Sequence, residues 1–173
     1  MPVIPQTDGA QFREQIAREA ESLWLNPPDL AYIRADKGWH TDQPDWCGEF
    51  AGLAAGMAGL AQSIRRYCTP STYRLQSAEK WEDAKRPRPT KPARGDVRRG
   101  DIICVVTGEG KSYGDHIAVV YAVMHDKIYT IEGNARGLLP SGEESTRRRV
   151  VKQVRRMKDV RQIIRFDDSH RGE

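Results

Sequence analysis

Apolar positions follow a helical period in the first third of the chain and an alternating period in the second half. Phe12, Ile16, Ala20 and Leu23 recur at three- and four-residue steps, which predicts a helix over 11–25. Asp8 stands where a capping side chain belongs, with Gln11 three residues on, and Asn26-Pro27-Pro28 stops the run. Phe50, Leu53, Met57, Leu60 and Ile64 form a second apolar stripe, read as a buried helix packed on a sheet. Gly48, Gly52 and Gly56 share this helix at four-residue steps. Each costs about 1 kcal/mol relative to Ala, so the repetition points to a face that another backbone approaches closely. Pro87, Pro89, Pro92, Gly95 and Gly100 mark a connector. After it the period becomes two, predicting strands over 101–106, 116–124, 127–132, 149–156 and 160–166. His125-Asp126 makes a tight turn, and 133–144 reads as a Gly-rich loop. Helices followed by strands predict an α+β fold with a mainly antiparallel sheet of five or six strands.

Composition narrows the class. A chain of 173 residues is long enough for one core-bearing domain, expected to span 1–173. With 38% apolar residues it is not a disordered chain, and three cysteines are too few for a disulfide framework. No apolar run reaches the roughly 20 residues of a membrane span. Residues 1–8 lack a basic segment followed by an apolar one, so the expectation is synthesis in the cytoplasm without a Sec signal peptide. The formal charge of +4 is unevenly placed. Segments 85–99 and 147–173 each carry a net +6, and the remainder is acidic. Such segments suit an anionic polymer or surface, or are simply solvated strand faces and a loop. The cysteines and histidines show no zinc-ligand spacing, so neither metal nor cofactor is expected.

Cys47 is the residue with the most chemistry to offer. It sits where an irregular stretch turns into the Gly/Ala-rich helix, and the unpaired N–H groups of a helix start favour a thiolate. A buried structural cysteine is the competing reading. Cys104, inside an apolar strand, reads as core, and Cys68 has no evident partner. His116 opens the second strand, and the short turn at 125–126 folds it beside the end of the third. Glu132 or Asn134 would then hold the imidazole, giving a nucleophile, a base and an orienting group. Asp45 and Asp115 flank this cleft and suit a substrate ammonium, or else cap loops; Trp39 and Trp46 line it or belong to the core.

Four motifs in order carry a resemblance: Trp46-Cys47-Gly48-Glu49-Phe50, Gly100-Asp101-Ile102-Ile103, Asp115-His116-Ile117-Ala118-Val119-Val120, and Ile131-Glu132-Gly133-Asn134. Over about 40–135 the chain resembles the CHAP amidases of the papain-like NlpC/P60 group of bacterial cysteine peptidases. The resemblance implies a papain-like α+β fold, a nucleophile at Cys47, a base at His116, and an orienting residue at Glu132 assisted or replaced by Asn134. It implies amide bonds of peptidoglycan as substrate. An upstream glutamine often completes the oxyanion hole in papain-like enzymes; here Gln43 and Trp46 are candidates beside the Cys47 N–H. Without a leader, such an enzyme would reach the wall, in the periplasm of a target or host cell, as a type VI secretion effector or a phage lysin. The effector would come with a cognate immunity protein, and no specific nucleic acid is expected as partner. The alternatives are an inactive module holding an anionic polymer through its basic segments, and an amidase of another substrate such as glutathionylspermidine.

Overall fold

The structure, a computed structural model, describes residues 9–34, 46–68, 85–107 and 116–172. Helix α1 spans Ala10–Leu25, α2 Leu30–Arg34 and α3 Cys47–Met57. Five strands follow: β1 (Ile102–Val105), β2 (His116–Met124), β3 (Lys127–Ala135), β4 (Arg149–Arg156) and β5 (Val160–Ile164). They form one sheet in the order β4-β3-β2-β1-β5, with every pairing antiparallel. The α+β architecture is compatible with a papain-like fold, as expected.

The helix limits follow local chemistry. Gly9, in the left-handed region at φ 71°, is the N-cap of α1 and makes no side-chain cap bond; Asp8 lies outside the described residues. At the other end Asn26 is the C-cap, its N–H donating to the Ser22 carbonyl. The stripe predicted to continue to Ile64 breaks after Met57. Gly59 adopts φ 109°, and residues Gln62–Cys68 form a 3₁₀ turn instead. Leu60 and Ile64 stay buried, so the periodicity marks burial correctly but not helix continuity. The short α2 was not legible in the pattern.

One face of the sheet carries the helices. Phe12 and Ile16 of α1 and Phe50 and Ala54 of α3 share a core with Ile102, Ile117, Val119 and Ile131. The alternate residues Ile103, Val105, Ala118, Val120 and Ile128 form a smaller cluster with Val97, Val160 and Ile163. Fully burying a side chain such as Phe50 stabilises by about 1.5–3 kcal/mol. The close approach between α3 and the sheet falls on Gly133, where an added Cβ would lie 2.4 Å from the Cβ of Phe50. At Gly56 the close neighbour is instead the Arg65 guanidinium, 2.5 Å from an added Cβ to Cζ, and not a backbone.

Gly133 also lies in a correction to the strand limits. The chain was expected to leave the sheet at Glu132, but β3 runs on to Ala135 through an irregularity between Glu132 and Ala135. Asn134 there takes φ 57°. Such a bulge adds a residue to one strand and re-aims the side chains around it.

Part of the basic segments is consumed inside the fold. Arg99 pairs with Glu14 and Glu21 of α1. Arg165 of the C-terminal segment donates to the buried Asp101 carboxylate through Nε (2.8 Å) and Nη2 (2.7 Å), and to Asp96 through Nη1 (3.1 Å). The Arg98 N–H also donates to Asp101 at 2.8 Å. The uneven charge therefore stitches the connector and the last strand to the acidic body.

Candidate active site

Cys47 is the first residue of α3 and is buried. The N-cap, Trp46, makes no side-chain cap bond, so it does not satisfy the first-turn N–H groups. His116 opens β2, and its imidazole stands beside the Cys47 side chain, close enough for the two to act on each other. The imidazole Nε2 lies 2.7 Å from Oε2 of Glu132. With Nε2 engaged there, Nδ1 is the ring nitrogen left for the thiol. Three chemical groups from three elements thus meet in one line.

The hairpin explains the meeting. Val119 faces Ile131 across the β2–β3 ladder, so His116 and Glu132 fall near each other at one end of it. The hairpin arithmetic allowed Glu132 or Asn134, and the resemblance favoured Glu132; the bond at Nε2 is made by Glu132. Asn134 is buried in the bulge, and its carbonyl accepts from Arg148 Nη1 at 3.2 Å.

Glu132 has no exposed surface, and a buried carboxylate must be paired. Arg155 of β4 supplies a fork, with Nε 2.8 Å from Oε1 and Nη2 2.5 Å from Oε2. Thr130, two residues earlier on the same face of β3, donates its hydroxyl to Oε1 at 2.5 Å. Burial would raise the Glu132 carboxyl, but Arg155 and His116 outweigh it and hold it down at about 2. Burial likewise favours a neutral His116, yet its bonds to Cys47 and Glu132 push it up to about 9. At neutral pH the imidazole is thus cationic, a charge that favours a thiolate opposite it.

Arg155 and Thr130 were not singled out in the sequence. Thr130 was findable, because the residue two before a strand carboxylate shares its face. Arg155 was not, because the register of β4 against β3 is set across a connection of 13 residues, 136–148. Trp46 is buried in the core, with its ring against Gly133. Trp39, Gln43, Asp45 and Asp115 lie outside the described residues. Cys68 and Cys104 are buried like Cys47 and none of the three is in a disulfide, with Cys104 in the core as expected. Among the described residues, no helix is long and apolar enough to cross a membrane.

A helix-start thiol, an imidazole and a carboxylate on an antiparallel sheet define the class of cysteine-dependent hydrolases. The CHAP domain model matches residues 37–134, more than half of the chain, and the chain belongs to this family of cysteine/histidine-dependent amidohydrolases and peptidases. No curated protein and no solved structure gives a significant match. Family membership supports a peptidoglycan amidase or peptidase activity in general terms. The match stops before β4, so Arg155 lies outside it.

Proposed function

We propose that the protein hydrolyses an amide bond of peptidoglycan, as an endopeptidase or as an N-acetylmuramoyl-L-alanine amidase, with Cys47 as nucleophile. The observation that carries this reading is the helix-start Cys47 beside an imidazole that is itself hydrogen-bonded to Glu132, within a CHAP match. The Cys47 thiolate attacks the carbonyl carbon, and the Cys47 backbone N–H stabilises the oxyanion. His116 gives its proton to the leaving amine, which departs as the thioester forms. The neutral imidazole then takes a proton from water as the water oxygen attacks the thioester carbonyl; the C–S bond breaks, the carboxyl product leaves, and the thiolate–imidazolium pair is restored. Glu132 holds the ring in orientation and stabilises its charged form, as the carboxylate of a triad does. Asn134 assists there, and Gln43, Asp45, Trp46 and Asp115 contribute to the substrate cleft.

The same reading sets the place of action in the wall, in the periplasm of a target or host cell. An interbacterial effector delivered by type VI secretion fits this role, as does a phage lysin. An effector would carry a cognate immunity protein as its partner. Digestion of purified sacculi, with fragments identified by mass spectrometry, tests the reading. Released stem peptides would identify the amidase and cut stems or cross-links the endopeptidase; undigested sacculi would refute the substrate.

A further inference from the structure

Glu132 is fixed from three strands. His116 on β2 takes Oε2, Thr130 on β3 takes Oε1, and Arg155 on β4 forks across both oxygens. Among the described residues, Arg155 and His116 are the charged groups acting on Glu132, and Cys47 of α3 reaches it through His116. Charge therefore alternates from Arg155, cationic, to Glu132, anionic, to His116, cationic beside Cys47. Removing Arg155 takes one of its cationic partners from a buried carboxylate that water does not screen. The relief is a proton on Glu132. A neutral Glu132 no longer stabilises the imidazolium, and a neutral His116 no longer favours a thiolate opposite it.

We propose that Arg155 is a positioning residue: its fork across Glu132, with the Thr130 hydroxyl, keeps that carboxylate an oriented anion, and so keeps Cys47 and His116 as a thiolate–imidazolium pair at neutral pH. This rests on the reading of Cys47 and His116 given above and assigns a function to a residue beyond the matched region. Arg155 reaches the reaction through two other side chains and touches neither the thiol nor the substrate carbonyl in this role. Arginine is suited to it because its planar guanidinium meets both carboxylate oxygens at once, which an ammonium cannot do.

The test measures alkylation of Cys47 by iodoacetamide between about pH 5 and 9, in the full chain without substrate. Peptide mass spectrometry assigns the adduct to Cys47, and circular dichroism scores the folded fraction. In the wild-type chain, Cys47 should react at about pH 6 well above a free thiol, which is titrated near ~8.5. Arg155→Met should lower the rate at about pH 6 at least ~10-fold, with a much smaller loss at about pH 9, as the profile moves to that of an ordinary thiol. Arg155→Lys, which keeps the charge and loses the fork, should fall between them. A merely structural Arg155 would scale the whole profile by the folded fraction without changing its shape. A profile of Arg155→Met that superimposes on wild type, or falls by one factor at every pH, overturns the proposal. Should Arg155→Met not fold, Arg155→Lys decides: an unchanged ratio of rates at the two pH values overturns it. An ordinary thiol profile in the wild-type chain would overturn the Cys47–His116 reading itself, and this inference with it.

Discussion

Two buried carboxylates in this fold are each gripped by an arginine, and they do different work. Asp101, just before β1, takes the Arg165 fork and the Arg98 backbone N–H. Glu132, in β3, takes the Arg155 fork, the Thr130 hydroxyl and the His116 imidazole. Each arginine comes from the basic C-terminal segment, and each fork closes within about the same distances. The difference is the third partner. A backbone amide has one state, so Asp101 is a staple between the connector and β5. An imidazole has two, so the anion at Glu132 sets the charge of a neighbour that reaches a thiol. A buried Arg–carboxylate pair is thus not itself a sign of function; what its free lone pairs meet decides.

The largest effect expected is on turnover. Cys47→Ala should lower activity on sacculi by about 10⁴-fold or more while the unfolding temperature stays close to wild type, as assayed by released amino groups and calorimetry. Glu132→Gln should lower kcat/KM by about 10²–10⁴-fold, whereas Asp101→Asn should leave the kcat/KM of the folded fraction within a few-fold. Equal losses in the two variants would erase the distinction drawn between the carboxylates.

Stability should separate them in the other direction. Arg165→Met leaves a buried carboxylate without its cation and should cost about 3–5 kcal/mol in urea unfolding, with the alkylation profile of Cys47 unchanged in shape. The pH dependence of stability has a worked-out sign at the Glu132 end. Glu132 is held at about 2 from an ordinary 4.5, so its contribution is present above 4.5 and lost as pH falls toward 2. His116 is raised to about 9 from 6.5, so its contribution is full below 6.5 and lost as pH rises through 9. Unfolding temperatures across this range should show an alkaline decline that His116→Ala removes. Smallest of all, Asn134→Gly, which accepts φ 57° without strain, should cost less than about tenfold in activity. A loss as large as that of Glu132→Gln would make Asn134 the orienting group.

Much of this was legible in the sequence where one local rule acts alone. The limits of β2 and β4 were readable, and the short turn at 125–126 returns β3 to the end of β2 where His116 stands, although the ladder shifts register between Val120 and Ala122 on the way. Legibility ended where tertiary packing chose among local options. Gly133-Asn134 carries loop chemistry in sequence, yet both residues lie within β3, where Gly133 packs directly under Phe50. Gly59 ends α3 inside an apolar stripe whose later members are buried from a 3₁₀ turn. Arg155 looked like one charge in a basic run, since its partner lies 23 residues away across a connection that fixes no register. The basic segments, read as docking surfaces, contribute three of their arginines to internal ion pairs.

The most direct test of the role given to Cys47 is acid quenching of the enzyme during turnover of a peptidoglycan fragment, followed by intact-protein and peptide mass spectrometry. The expected result is a mass increase equal to the acyl fragment, mapped to Cys47 as a thioester and absent in Cys47→Ala. Turnover that continues in Cys47→Ala, with no adduct on the wild-type thiol, would contradict it.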